Sequence, residues 1–519
     1  MDEKVLESRG QLTVDLKLFD NGATGRLIID PAQAKKELGE EVASRLKLTK
    51  DGTKVLWPQP TDSSNDPQNW STGRKRAQLC IITMATVIPG WVLSLNTNLI
   101  FALAKEYDVS PGAVNDLANN GSLIACGIGG IVAGMIVRKF GRLPVLFWSQ
   151  LIALGTLIGC TLAPNFKVFS AMRILNGFFG PTPQISGLHV VNDMYPFHLQ
   201  TRKLNIWAAG NLVALFISPF VSGFIVTKLD WRWVYGITTI LAAVVLLIVA
   251  VFGEETIYDR KYDPVPEIEG YGLRRWAKTL FGVEGWRMSK YREDWSEICS
   301  LPFNMLWRPQ MLLMVIIQAC VFGFGLGILV TNAILLGGES RDFRFGDLAL
   351  AGIYGTPMVA LLLGETCGRY LNDWIADYSI RRRHGIFLAE ARLWTYFLSI
   401  PIFIVGLVVL GISFERHPSL AGIVMGWGIA QFAIMLSTVA GIAYSNDCFP
   451  EQGGEVMALF GAAWCFGGVG ISYAQETWVE KHGALQALGV EAAIVAGVAI
   501  LLIPLLQIKG AFFRRRFPL

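Results

Sequence analysis

The side chains with chemistry to offer are the polar ones that interrupt long apolar runs. Asn96, Asn98, Asn119, Asn120, Gln184 and Asn211 do so in the first half, and Gln318, Asn332, Tyr354, Gln431 and Tyr473 in the second, with Trp427 and Trp464 as aromatic neighbours. Every polar atom in hydrocarbon needs a partner, so each of these groups either bridges two helices or faces a cavity where water or a bound molecule completes it. Under the second reading they wall a site for a small organic molecule, made of neutral amides and aromatic faces. Titratable candidates are fewer. Asp193, Glu365 and His189 stand near the ends of apolar runs and are candidates for a group that takes up and releases a proton. The simpler readings are an i, i+4 pair of Glu365 with Arg369 and a helix-end hydrogen bond for His189. Arg173 lies within an apolar run, where an unpaired guanidinium is costly; it has a buried partner or reaches outward to the membrane surface.

The elements that must position these residues are membrane helices. Of 519 residues 52 % are apolar and 17 % charged, the mean hydropathy is +0.43, and apolar runs of about 18 residues or more recur along the chain. This excludes a cytosolic enzyme and a disordered scaffold. A net charge of +4, spread along the chain, gives no nucleic-acid footprint. Eight cysteines, mostly inside apolar runs and never as CxxC, indicate neither a disulfide framework nor a zinc site, and no metal or cofactor is expected. A membrane-bound enzyme is the rival class, but the five histidines are scattered, and no nucleophile elbow, phosphate loop or paired-His motif accompanies them. The start, MDEKVLESRGQL, lacks a basic stretch followed by an apolar one, so the first span is expected to serve as the insertion signal.

The runs predict an all-α membrane protein of twelve transmembrane helices in two pseudo-symmetric six-helix bundles. Spans are expected at about 77–103, 116–137, 143–163, 168–190, 204–227 and 233–253, then at 311–337, 347–368, 392–413, 420–444, 454–475 and 488–507. The corresponding regions are a cytoplasmic N-terminal region 1–76, a first bundle 77–253, a cytoplasmic central loop 254–310, a second bundle 311–507 and a basic cytoplasmic tail 508–519. Within 1–76, Asp30 as N-cap and Pro31 at the first helical position predict a helix to about Leu48. With the N-terminus inside, the cytoplasmic loops and tail hold 26 Lys and Arg against eight outside, so both termini are expected to be cytoplasmic. In the central loop, Arg275 to Trp295 interleaves aromatic and basic residues, as an interfacial helix on the inner leaflet does; a solvated linker is the other reading.

The loop after the second span reads GMIVRKFGRLP, Gly134 to Pro144. It resembles the loop 2-3 signature of the major facilitator superfamily: Gly134, Lys139, Gly141 and Arg142 match, while Arg138 stands at the acid position and Leu143 at the last basic one. Arg173 followed by Gly177 resembles the same superfamily's span 4 motif. Asn205, Ala214, Ser218, Pro219, Ser222 and Gly223 resemble, in degenerate form, the span 5 signature of drug:proton antiporters; ordinary span packing explains them as well. Trp57 to Ser71, WRWVYGI from Trp231, EETIYDR from Glu254, RRRHGIFLAEARLW from Arg381 and YSNDCFP from Tyr444 look like fungal members. Together these stretches cover most of the chain and place it near fungal twelve-span drug:proton antiporters and their organic-cation and polyamine relatives. The resemblance implies alternating access between two rocking bundles, a proton gradient as energy source and a small organic substrate held between the halves.

Arg138 at the acid position carries a consequence of its own. The loop before the eleventh span has three acids, Asp447, Glu451 and Glu455, and no Lys or Arg, so Arg138 is expected to dock against one of them when the cytoplasmic side closes. Neutral amides and aromatic rings suit a neutral or weakly charged compound, whereas a polyamine would require several carboxylates. Proton-coupled export of a drug, toxin or secondary metabolite is the leading expectation, with uptake of an organic cation, polyamine or other nutrient as the alternative. A nutrient sensor on a transporter scaffold is a third possibility. The expected partners are the substrate, protons and the bilayer, with the chain working as a monomer in the plasma membrane rather than the vacuole.

Overall fold

The computed structural model describes residues 26–28, 30–49, 51–258, 272–337, 347–383, 386–415, 420–449 and 452–517. Its helices fall into twelve crossings. Span 1 is Thr72–Ser94, continued after a turn by Ile100–Tyr107; span 2 is Pro111–Phe140; span 3 is Arg142–Thr161; span 4 is Phe166–Phe179 and Thr182–Met194; span 5 is Phe197–Val226; span 6 is Trp231–Phe252. Span 7 is Pro309–Gly337; span 8 is Asp347–Ile353 and Gly355–Arg382; span 9 is Trp394–Glu415; span 10 is Leu420–Cys448; span 11 is Gly453–His482; span 12 is Ala484–Arg516. Among the described residues ten helices are long and apolar enough to cross a membrane. The two other crossings, spans 4 and 8, are each divided.

The divisions follow from the sequence. In span 4, Pro181 and Pro183 remove two amide hydrogens within a single turn, so the helix stops at Phe179 and restarts at Thr182 with a proline in its first turn. In span 8 the restart is at Gly355, with Pro357 in the first turn. Span 2 opens on a π-helical turn, Val114–Asn120, that brings Asn115, Asn119 and Asn120 inward as buried residues. Pro219 in span 5 leaves the carbonyl of Leu215 without its helical partner, and the Ser94 hydroxyl of span 1 donates to it.

Burial separates inner from outer helices. In the most apolar stretch of span 10, 72 % of residues are buried, against 33 % in spans 6 and 12, which therefore form the rim. The N-terminal helix expected to reach Leu48 starts at Asp30, whose side chain accepts from Ala32 N, but Gly39 at φ 84° ends it after Leu38 and a second short helix runs Glu40–Arg45. Arg26–Ile28 pairs antiparallel with Ile386–Leu388, a small exception to the all-helical architecture. In the central region the described residues form the helices Gly272–Leu280, Val283–Met288 and Trp295–Leu306. Their aromatic rings pack onto the membrane domain: Trp286 stacks on Phe140 at 5.5 Å, and Trp276 Nε1 donates to Ala250 O at 2.9 Å.

Three successive residues after span 6 tie the first half together at the end carrying the Lys- and Arg-rich loops, hereafter the basic end. Glu254 pairs with Arg74 of span 1. Glu255 accepts from the backbone amides of Arg142 and Leu143, capping span 3. Thr256 donates to Asp193 of span 4 at 3.1 Å. Gly141, at φ 107°, makes the turn into span 3 beside that cap, and a Cβ there would sit 2.6 Å from Glu255 Oε2.

Candidate transport site at the seam between the halves

Between the halves lies a cavity of about 40 Å³, lined by spans 1, 2, 4 and 5 on one side and spans 7 and 11 on the other. A volume of this size admits a few waters. No lining residue carries a charge. Gln184, just past the Pro181 break, donates from Nε2 to Asn211 Oδ1 at 2.7 Å, and this amide pair forms the polar part of the wall. Trp464 faces it from span 11, stacked on Phe322 with centroids 4.6 Å apart. Cys126 of span 2 and Cys465 of span 11 meet within the same wall.

The other amides expected on the wall stand elsewhere. Gln318 is fully buried behind Trp464: its Nε2 donates to Tyr396 Oη at 2.6 Å and Ser437 O at 3.2 Å, and its Oε1 lies 3.4 Å from Trp464 Nε1. Gly441 makes the room, since a Cβ there would meet Gln318 Nε2 at 2.4 Å. Asn96 accepts from the Tyr235 hydroxyl inside the first half. Asn98 donates to Pro219 O at 2.7 Å, and Asn119 to Asn115 Oδ1 at 3.3 Å; Asn120 is buried beside them. Tyr354 donates to Leu329 O at 2.9 Å and meets Trp427 edge-on at 5.1 Å. Gln431 and Asn332 are buried, and their amide nitrogens have no partner among the described residues. Tyr473 lies outside the cavity at 52 % exposure. The reason is helical phase: nine residues beyond Trp464 amount to about 900°, half a turn away from the wall.

At the basic end the seam is charged. Arg138 Nη1 donates to Glu455 Oε1 at 3.0 Å, and its Nε and Nη2 donate to Glu293 of the central region at 2.7 and 2.9 Å. Side-chain exposure is 19 % for Arg138 and 3 % for Glu455, so this pair is largely shielded from water. Lys139 Nζ donates to Glu293 O at 2.6 Å, and Arg292 Nη1 to Lys139 O at 2.8 Å. His189 is buried with Nε2 4.0 Å from Glu455 Oε2, under Gly454, where a Cβ would come within 1.9 Å of the ring nitrogen. Asn192 donates to Asn446 at 2.8 Å, and Arg202 to Asp373 at 2.8 Å. Gly134 lies where spans 2 and 11 approach, a Cβ there falling 3.7 Å from Ala458.

Asp447 is not part of this seam. It pairs with Arg392 at 3.1 Å inside the second half, near the buried pair Arg514–Glu390 at 2.5 Å. Glu451 lies outside the described residues. Asp193 is held within the first half by Arg142 at 3.2 Å. Glu365 is half-buried on span 8 and off the cavity wall. Arg173 points inward: it is fully buried, with Nη1 donating to Val92 O at 2.8 Å, and Gly177 lets span 4 approach Ser122 O, 2.3 Å from where its Cβ would be.

At the opposite end the contacts across the seam among the described residues are uncharged. Asn115 Nδ2 donates to Ser472 Oγ at 3.2 Å, Gly223 packs under Ala351, and Gly355 packs against Phe220. The halves thus touch beyond both ends of the cavity. Glu293, Glu255 and Asn115 are the seam and bracing residues that sequence reading missed. The charge complement to RKFGR was visible for Glu293, but its partner lies 155 positions away.

Two six-helix halves around a central seam with a small cavity define a polytopic carrier. The sequence profile of the Major Facilitator Superfamily matches residues 79–472, and the chain belongs to that superfamily. Relatives include the MFS-type transporter kojT of Aspergillus flavus, 29 % identical, where the match covers 58 % of this chain and 54 % of the relative. The chain thus spans about half the length of that relative. The MFS-type transporter hepF of Aspergillus oryzae is 23 % identical over 87 % of this chain and 92 % of its own. A trichosetin biosynthesis cluster MFS transporter of Gibberella fujikuroi is 24 % identical over 44 % of this chain and 49 % of its own. Among solved structures, the human organic anion transporter MFSD10 superposes with a TM-score of 0.59 at 14 % identity, covering 82 % of this chain and 99 % of its own. The proton:xylose symporter XylE superposes with a TM-score of 0.57 at 14 % identity, covering 83 % and 95 %. These two likenesses concern the fold.

Proposed function

We propose that this transporter exports a small neutral or weakly charged organic compound, a drug, toxin or secondary metabolite, in exchange for protons. The observation that carries the reading is the wall of the cavity: the Gln184–Asn211 amide pair faces Trp464 and Phe322, and no lining side chain is charged. Such a wall offers hydrogen bonds and apolar contact to a neutral molecule, whereas a polycation would leave its hydration shell without replacement. The relative tied by its name to a biosynthetic cluster supports a secondary metabolite as cargo. Residues 77–253 and 311–507 act as the two moving bundles, and opening alternates between the ends of the seam. The excess of Lys and Arg at the basic end supports a cytoplasmic placement of that end and of both termini. The plasma membrane is the site of action, and a single chain suffices.

The test is metabolite profiling of cells with and without the gene. Cells lacking it accumulate a neutral or weakly charged compound and become sensitive to it, and collapsing the pH gradient in wild-type cells reproduces the accumulation. Unchanged efflux with lost uptake reverses the direction. Turnover of a labelled lipid by the purified protein without an ion gradient replaces transport with enzymatic activity.

A further inference from the structure

Toward the opposite end of the second half a carboxyl group is buried with no cation paired to it among the described residues. Glu491, in the early turns of span 12, is 1 % exposed. Its Oε1 accepts from Gln475 Nε2 of span 11 at 2.9 Å, and its Oε2 has no hydrogen-bond partner among the described residues. Span 12 packs against spans 7, 9 and 11. Span 7 carries no Asp, Glu, Lys, Arg or His. Span 9 carries only Glu415, which is engaged at 2.9 Å with the amide of Leu485 at the very start of span 12, about 9 Å along the axis from Glu491. Toward this end, span 11 offers Lys481 and His482, both exposed at its end, and Glu476 and Glu480, whose side chains lie outside the described residues. The ion pair Arg514–Glu390 sits at the other end of span 12. An ionised carboxylate has only acceptors to present, and here one amide serves it; a protonated carboxyl gains a donor and sheds the cost of a buried unpaired anion.

The partner links this group to the seam. Gln475 lies eleven residues beyond Trp464, about 16 Å along span 11 and only about 20° off in phase, so it continues the cavity face of that helix. Span 7 approaches closely at this level, a Cβ on Gly327 falling 2.8 Å from Gln475 Oε1. Less than one turn back, Ser472 receives the cross-seam hydrogen bond from Asn115. Glu491, Gln475, Ser472 and Asn115 therefore form a line from the rim of the second half to the first.

We propose that Glu491 is a proton-binding site linked through Gln475 to the opening of the opposite end. Proton binding favours the closed seam, in which the carboxyl is dry; proton loss favours the open seam, in which water reaches it. This deepens the proton-coupled reading above and rests on it for its place in transport, but the site can be tested with the proton alone as ligand.

Two measurements use the full chain in lipid vesicles. Infrared difference spectra across a pH jump should contain a carboxylic-acid carbonyl band that Glu491→Gln removes and Glu491→Asp shifts; a spectrum unchanged by Glu491→Gln overturns the site. In a protein whose only cysteine is Cys465, an impermeant maleimide applied from the opposite side reports opening of that end. The ratio of labelling rates between this parent and its Glu491→Gln variant cancels the thiol's own titration. It should approach one near about pH 5 and rise several-fold near about pH 9, because the variant resembles the protonated form. A ratio that stays flat overturns the linkage. If both results hold while export proves independent of the pH gradient, the transport reading falls and the site remains.

Discussion

The two ends of the seam are closed by different chemistry. At the basic end, a guanidinium, two carboxylates, a histidine and an amide pair converge from spans 2, 4, 10 and 11 and the central region. At the opposite end, the described residues contribute an amide–hydroxyl bond and two glycines packed against Ala351 and Phe220. A charged latch is strong while water is excluded and weakens sharply once it is admitted, so it favours two distinct states. Close packing of small residues has no such threshold and yields to any added atom. The basic end should therefore be sensitive to charge and the opposite end to volume.

The largest expected effect comes from removing the difference altogether. In a protein whose remaining cysteines are Cys126 and Cys465, oxidative or short bifunctional cross-linking should arrest both ends at once. Transport should fall in proportion to the cross-linked fraction and return with reductant. Full activity after complete cross-linking would mean that the halves do not separate at this level.

Next is Arg138→Glu, which places a third acid beside Glu455 and Glu293. Breaking a shielded ion pair costs about 3–5 kcal/mol, so closure of the basic end should fail and transport should drop by roughly two to four orders of magnitude. Adding Glu455→Arg should recover part of the loss. Strict additivity in the double variant would show that the pair does not act as a latch.

At the opposite end Gly223→Val is the matching test of volume. A Cβ at this position would already stand 2.6 Å from Ala351 Cβ, so the larger side chain should hold that end open. Labelling of Cys465 from that side should rise several-fold while Gly223→Ser has a smaller effect; equal labelling in parent and variant would place the closure elsewhere. The smallest effect belongs to Arg202→Ala. Its partner Asp373 lies across the seam, but Arg202 is 54 % exposed, so the pair should contribute no more than about 1 kcal/mol and transport should change by less than about fivefold. A larger loss would extend the charged latch to span 5.

The twelve crossings were legible because the bilayer imposes a length and a polarity that no other environment does; span 6, Trp231–Phe252, whose one charged residue, Arg232, stands in its first turn, is the simplest instance. The contents of the seam were only partly so. Gln184 and Asn211 could be named as polar interruptions, but nothing in the local pattern separates them from Asn96, whose partner Tyr235 is 139 positions away. Tyr473 was misplaced by half a helical turn relative to Trp464, an angle that a list of polar residues ignores. Glu491 escaped notice because its run reads as an ordinary span, and its lack of a paired cation among the described residues emerges only when spans 7, 9 and 11 are set around it. Asp447 and Glu455 are both acids of one loop region, yet one faces Arg392 inside its own half and the other faces Arg138 across the seam.

Glu254, Glu255 and Thr256 are fixed in turn to spans 1, 3 and 4. Three neighbouring anchors on one short stretch leave these helices little freedom to slide past each other at that end, which makes the first half mechanically stiff. On the proposed proton-coupled reading, little of the work drawn from the gradient would be spent bending such a body. The displacement would pass from one helix to the next and reach the more compliant seam between the halves.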